Sequence, residues 1–255
     1  MTDKTQHPFR KKWGQNFLTD KNLLRKIVRT ILPKPGDSIL EIGPGEGVLT
    51  EKILPEVKEM AAVEIDPILI DYLMNRSDLD SLKIIQGDIL LQNIVDLPIS
   101  NPVRIVGNIP YNITSPIIFW LIKQLDYWTD AFIMMQKEMA ERLTATVGTK
   151  AYGRLTVLAG AYLETNYCFT IAPEVFIPRP KVKSAIIYFR KIDQPLVADD
   201  HYFKFRKIVT AAFNQRRKML NNSLKSWEFS EKVKEKIDFT RRPETLSIEE
   251  FSALV

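Results

Sequence analysis

Five short apolar runs alternate with segments of helical spacing along the first 135 positions of this 255-residue chain. The runs are Ser38 to Ile42, Met60 to Ile65, Leu82 to Gln86, Arg104 to Val106 and Ala131 to Met135. Between them, Val48 to Val57, a segment opening at Pro67 and Ser115 to Leu125 read as helices, and Pro is tolerated in a first helical turn. Such alternation predicts a parallel sheet with helices on both faces. Parallel strands all end on the same edge, so whatever follows each strand is gathered into one crevice. A helix from a cap at Thr19 or Asp20 to Ile31 precedes the sheet. Lys137 to Thr146 and Tyr152 to Leu163 read as later helices. Tyr167 to Ile171 and Ser184 to Phe189 read as an antiparallel strand pair at one side.

The strand ends carry the chemistry. Glu41-Ile42-Gly43-Pro44-Gly45-Glu46-Gly47 stands between a strand and a helix, where glycines let a ligand approach the backbone. Its G-x-G-x-G spacing differs from the G-x-G-x-x-G of dinucleotide sites. Glu46 puts negative charge where a pyrophosphate would sit, which favours a cationic or zwitterionic ligand. Glu64, at the end of the second strand, is placed to grip ribose hydroxyls. Asp88, after the third, is placed to accept from an adenine amino group, although capping a following turn would demand the same residue. Asn108-Ile109-Pro110-Tyr111 follows the fourth strand with a side-chain carbonyl, a backbone carbonyl and an aromatic ring. Those groups suit an exocyclic amine of a flipped-out base, although a strand end entering a Pro turn would look similar. An adenosine-bearing cofactor without phosphates fits the set: S-adenosylmethionine.

The charge is unevenly placed. Net charge is +5, yet Tyr202 to Arg242 holds twelve Lys/Arg against four Asp/Glu. The remainder is slightly acidic. A basic helical segment on a near-neutral domain suggests a polyanionic partner. That segment reads as helices over Tyr202 to Phe213, Arg217 to Leu224 and Glu231 to Ile237, with a last helix capped by Ser247. The expected domains are 1–193, an α/β domain with an N-terminal basic motif, and 194–255, a small basic all-helical domain. One cysteine and two histidines exclude an internal disulfide and leave little for a metal. No leader and no membrane-length apolar run is evident, so a cytoplasmic protein without membrane or metal partners is expected.

Five motifs, in order, resemble those of the small-subunit ribosomal RNA adenine dimethyltransferases: Lys12 to Leu18, Glu41 to Gly47, Asn108 to Tyr111, Val175 to Ser184, and Phe213 to Lys218. Together they span nearly the whole chain. The resemblance implies a Rossmann-like S-adenosylmethionine-dependent methyltransferase, acting as a monomer. Its reaction would dimethylate N6 of two adjacent adenosines in the 3′-terminal hairpin loop of 16S ribosomal RNA, in an immature small subunit. Cofactor contacts carry over to Asn16, Leu18, Gly43, Glu64, Asp88 and Asn108. Asn108, Pro110, Tyr111 and Phe176 form the expected catalytic set, the last two as a sandwich around the base. Arg10, Lys11, Lys12, Arg216, Arg217 and Lys218 are the expected RNA contacts. Two other readings are carried forward. One is a ribosome-assembly factor whose docking outweighs its chemistry. The other is a large-subunit enzyme of the macrolide-resistance type, although Tyr111 stands where that family usually has Phe.

Overall fold

A computed structural model describes residues 16–255. In chain order the elements are β1 (Phe17–Leu18), α1 (Lys21–Ile31), β2 (Ser38–Ile42), α2 (Thr50–Ile53), β3 (Glu59–Glu64), α3 (Pro67–Met74), β4 (Lys83–Gln86), β5 (Val103–Asn108), α4 (Thr114–Lys123) and β6 (Trp128–Gln136). They continue as α5 (Lys137–Leu143), α6 (Arg154–Gly160), β7 (Leu163–Ile171), β8 (Phe176–Ile177), β9 (Ser184–Lys191), α7 (Tyr202–Asn214), α8 (Leu220–Ser223), α9 (Glu231–Lys236) and α10 (Ile248–Ser252).

The chain divides into two compact units. One comprises residues up to 140 with 166–190; the other comprises 141–165 with 191–255. The expected boundary at 193/194 thus differs from this division in residues 141–165 and 191–193, which group with the C-terminal helices. No helix of the described residues is long and apolar enough to cross a membrane.

In the first unit the sheet follows from the apolar runs. Strand order is β4-β3-β2-β5-β6-β9-β7. The neighbours from β4 to β6 pair in parallel, and β9 runs antiparallel to β6. Buried β2 and β3 have no polar alternation, as expected for strands covered on both faces. Helix α1 opens at Asp20, whose side chain accepts from the Leu23 N–H, and buries Leu24, Ile27 and Ile31. These join Ile39, Met60, Val106 and Ile186 in one apolar core.

Opposite the strands' C-terminal edge, Arg104 on β5 ties four segments together. Its guanidinium donates to both carboxylate oxygens of Asp130 (2.9 and 3.0 Å) and to Asp37 (2.7 Å). It also donates to the Ile31 and Leu32 carbonyls that end α1. Helix C-termini leave carbonyls without partners, and a planar fork of donors is suited to collect them.

The second unit packs around aromatic rings. Tyr152 and Phe251 flank Phe213 at 6.2 and 5.6 Å between centroids. The Tyr152 hydroxyl donates to the Leu246 carbonyl. Ser247 caps α10 reciprocally with Glu250, as a capping box predicts.

Three segments depart from the periodicity. Residues 161–163 leave the helical pattern, and Leu163 opens β7. The helix expected over Val48 to Val57 shrinks to α2 and a 3-10 turn, because the glycine loop extends further into it. Arg217 begins no helix; 215–218 form a turn before α8.

Replacing Arg104 by Met should lower the unfolding free energy by about 2 kcal/mol, since two partly buried carboxylates lose their cation. Urea unfolding of Arg104→Met with an unshifted midpoint would contradict this role.

Candidate active site

The register of the parallel strands brings the predicted groups to one edge. Ile42 lies beside Val63 on one side and Gly107 on the other, and Glu64 lies beside Gln86. The backbone extends the ladder past the strand ends: Gly43 N–H donates to Val63, and Gly87 N–H to Glu64. A cavity of about 280 Å³ opens there. Asn16, Leu18, Gly43, Glu64, Asp88, Asn108 and Pro110 all line it.

The glycine loop shapes the floor. Gly43 and Gly45 have φ of 66° and 60°, in the left-handed region that side chains with a Cβ avoid. A Cβ on Gly43 would meet nothing, so its backbone stays open to a ligand, whereas one on Gly45 would lie 3.2 Å from the Phe17 ring.

Glu64 is buried, 4% exposed. Its carboxylate accepts from the N–H groups of Ile65 (2.9 Å), Asp66 (3.0 Å) and Gly45 (3.3 Å). Burial raises its pKa against the pull of those three donors. The residue therefore braces the loop and keeps about one of its four acceptor positions. Asp88 accepts from the Leu90 N–H at 2.9 Å, so it does cap the following turn, and it also lines the cavity.

Glu41, also lining the cavity, was not singled out from the sequence. Its carboxylate accepts from the Thr50 hydroxyl at 2.5 Å. Complete burial pushes its pKa up to about 7, against that hydrogen bond and helped by the charge of Glu64. Two carboxylates with raised proton affinity beside one cavity favour a cationic ligand.

The roof comes from parts of the chain far apart in sequence. β1 and β8 form a two-stranded antiparallel ribbon, Phe17 opposite Ile177 and Leu18 opposite Phe176. The Thr19 backbone N–H and hydroxyl both donate to the Val175 carbonyl. Asn108 Nδ2 donates to the Asn16 carbonyl at 3.0 Å, which leaves Oδ1 as the acceptor of that amide.

Not every predicted residue is brought to the cavity. Tyr111 is half-buried beside Pro110, and its hydroxyl meets Ser184 Oγ at 2.7 Å. Burial raises its phenol pKa. Ser184 is the final residue of the Val175 to Ser184 motif, and its role as an anchor was readable only once β9 was placed. Phe176 requires correction. Its ring is 2% exposed and packed into the core, so it presents no face to a base.

Arg216 is also corrected as an RNA contact. Its guanidinium donates to the carbonyls of Lys150 (2.8 Å) and Thr149 (3.0 Å), and it pairs with Glu244 at 3.4 Å. It clamps a turn of its own unit. Arg217 and Lys218 are exposed. Arg10, Lys11 and Lys12 lie outside the described residues.

The comparisons agree on one family. The model described as ribosomal RNA adenine dimethylase matches residues 6–255. A ribosomal RNA small subunit methyltransferase A from Flavobacterium johnsoniae is 43% identical over 247 residues, covering 96% of this chain and 94% of that protein. The protein of that name from Alcanivorax borkumensis is 40% identical over 251 residues, covering 98% and 90%. Among solved structures, a dimethyladenosine transferase from Plasmodium falciparum superposes with a TM-score of 0.80 at 26% identity, covering 93% of this chain and 95% of that one. The 23S rRNA methyltransferase ErmE superposes at 0.71 and 27%, covering 94% and 98%.

Glu41 gives the site a pH signature. Its folded pKa of about 7 lies above its ordinary 4.5. Between those values the unfolded chain releases the proton and the folded chain keeps it. The Glu41 contribution to stability should therefore fall as pH rises from about 4.5 to about 7 and level off above. Glu41→Gln keeps an acceptor for Thr50 and removes that slope. Its stability relative to the parent should be about 3 kcal/mol more favourable at pH 8 than at pH 4.5. Parallel unfolding curves at the two pH values would rule the assignment out.

Proposed function

The chain belongs to the ribosomal RNA adenine dimethylase family, and from that premise we propose that it dimethylates N6 of two adjacent adenosines in the 3′-terminal hairpin loop of 16S ribosomal RNA, in an immature small subunit. The observation that carries this reading is the placement of Asn108. Its amide is held by Asn16 through Nδ2, and it borders the cavity lined by Gly43, Glu64 and Asp88.

The residues present fit S-adenosylmethionine. Buried Glu41 and Glu64 suit its positive charge, and Gly43 exposes backbone without steric hindrance. When bound, it supplies an electrophilic methyl on a sulfonium sulfur. In this reading Glu64 offers its remaining acceptor position to ribose hydroxyls, and Asp88 accepts from the adenine amino group. Leu18 and Ile27 contribute apolar wall.

The target adenine N6 is a poor nucleophile because its lone pair is delocalised into the ring. Asn108 Oδ1 accepts one of its N–H groups. The Pro110 carbonyl accepts the other; that oxygen already takes the Ile113 N–H at 3.2 Å but has a second lone pair. These bonds favour a pyramidal nitrogen and aim its lone pair. Tyr111, fixed through Ser184, stacks on one face of the base. No strong base is required, because the nitrogen becomes acidic once alkylated. The chain's contribution is position and electrostatics. The helical domain from residue 194 onward, with Arg217 and Lys218 exposed, docks on the RNA.

Asn108→Ala should lower turnover by about 100- to 1000-fold. Cofactor affinity, measured by calorimetry, should weaken by no more than about tenfold, because only the roof contact is lost to it. Near-normal turnover removes Asn108 from the mechanism. For the substrate, primer extension on small-subunit RNA after incubation with protein and cofactor should show paired stops at the 3′ hairpin. Stops confined to large-subunit RNA would overturn the assignment.

A further inference from the structure

Helix α1 carries a basic stripe that nothing in the fold explains. Lys21, Arg25 and Arg29 are spaced four apart, which places them along one side of the helix. All three are exposed, while Ile27, on roughly the opposite side, is buried and lines the cavity. Among the described residues no carboxylate pairs with any of them. Arg25 donates to the neighbouring Asn22 side chain and to the Lys21 carbonyl, both within the helix. Lys26, also exposed, rests 3.9 Å from the centre of the Phe169 ring.

The arrangement is locally unfavourable in two ways. Like charges four apart on a helix repel. Lys21 stands in the first turn, where the helix dipole disfavours a cation, and that turn contains no acidic residue. Asp20, the nearest carboxylate, serves as the N-cap.

The charge also has a pattern along the chain. The first 34 residues hold nine Lys/Arg against two Asp, whereas the rest of the same unit, residues 35–140 and 166–190, holds eleven basic and seventeen acidic residues. Within the catalytic unit, positive charge is thus concentrated in the segment that supplies the roof of the cavity. A solvated surface has no reason to gather its cations there without counter-charges.

We propose that the α1 stripe of Lys21, Arg25 and Arg29 is a binding surface for the RNA phosphate backbone, holding the strand against the roof segment of the catalytic cavity. The inference rests on the proposed function for the identity of the RNA. The stripe spans about 12 Å along the helix axis, room for more than one phosphate contact. Phosphates there complete charges that repel each other in the free protein, and binding releases counterions from the RNA.

The test uses the full chain with Lys21→Gln, Arg25→Gln and Arg29→Gln combined. The probe is an RNA hairpin from the 3′ end of small-subunit ribosomal RNA. Affinity at moderate salt should fall by at least tenfold. The slope of log affinity against log salt should become shallower by about 2, as expected for two or three lost phosphate contacts. The melting temperature should hold or rise, because removing the charges relieves repulsion, and cofactor affinity should stay at the parent value. A control variant with Lys52, Lys58 and Lys123 changed to Gln removes the same charge from other exposed positions of the same unit. Unchanged affinity and slope in the α1 variant would overturn the proposal. An equal loss in the control would also overturn it, since binding would then follow net charge. Failure of the parent protein to methylate small-subunit RNA is the separate outcome that bears on the function.

Discussion

Parallel strand pairing is the constraint from which the site follows. Once β2, β3, β4 and β5 lie side by side in one direction, Gly43, Glu64, Asp88 and Asn108 meet at one edge, whatever happens elsewhere. No long side-chain network is needed to assemble them. The opposite edge carries the mechanical burden: Arg104 binds Asp37, Asp130 and the end of α1, away from the chemistry. Binding groups and fold-holding groups are thus separated along the same strand, with Arg104 and Asn108 at its two ends.

The loop and the roof are coupled through short contacts. Glu64 takes the Gly45 N–H, and a Cβ on Gly45 would lie only 3.2 Å from the Phe17 ring. A larger residue at Gly45 would disturb both the floor and the roof. The buried carboxylates Glu41 and Glu64 hold their protons more tightly than ordinary glutamates. A cation in the cavity would lower that tendency, so ligand charge and site protonation are linked.

Much of the fold was legible because apolar runs and their polar ends are local signals. β2 was read with the bounds it has, and Asp20 and Ser247 cap the helices assigned to them. The ribbon of β1 and β8 was not legible. Two-residue strands carry no periodicity, and their pairing joins residues about 160 positions apart. Exposure was the other gap. Phe176 and Arg216 have side chains suited to stacking and to phosphate binding, but a type says nothing of what surrounds it. The core encloses one, and the carbonyls of Thr149 and Lys150 occupy the other. Glu41 escaped notice because a carboxylate inside a buried strand has no sequence signature apart from its glycine neighbours.

The bond from Asn108 Nδ2 to the Asn16 carbonyl has a consequence for polarity. A primary amide is nearly symmetric in shape, and a half-turn exchanges its donor end for its acceptor end. The sheet fixes where Asn108 is, but the roof segment fixes which way its dipole points. An adenine amine, which offers protons, is welcome only in one of those two orientations. The roof segment that precedes the sheet in sequence therefore sets the sign of the site's selectivity, while the sheet supplies only its location.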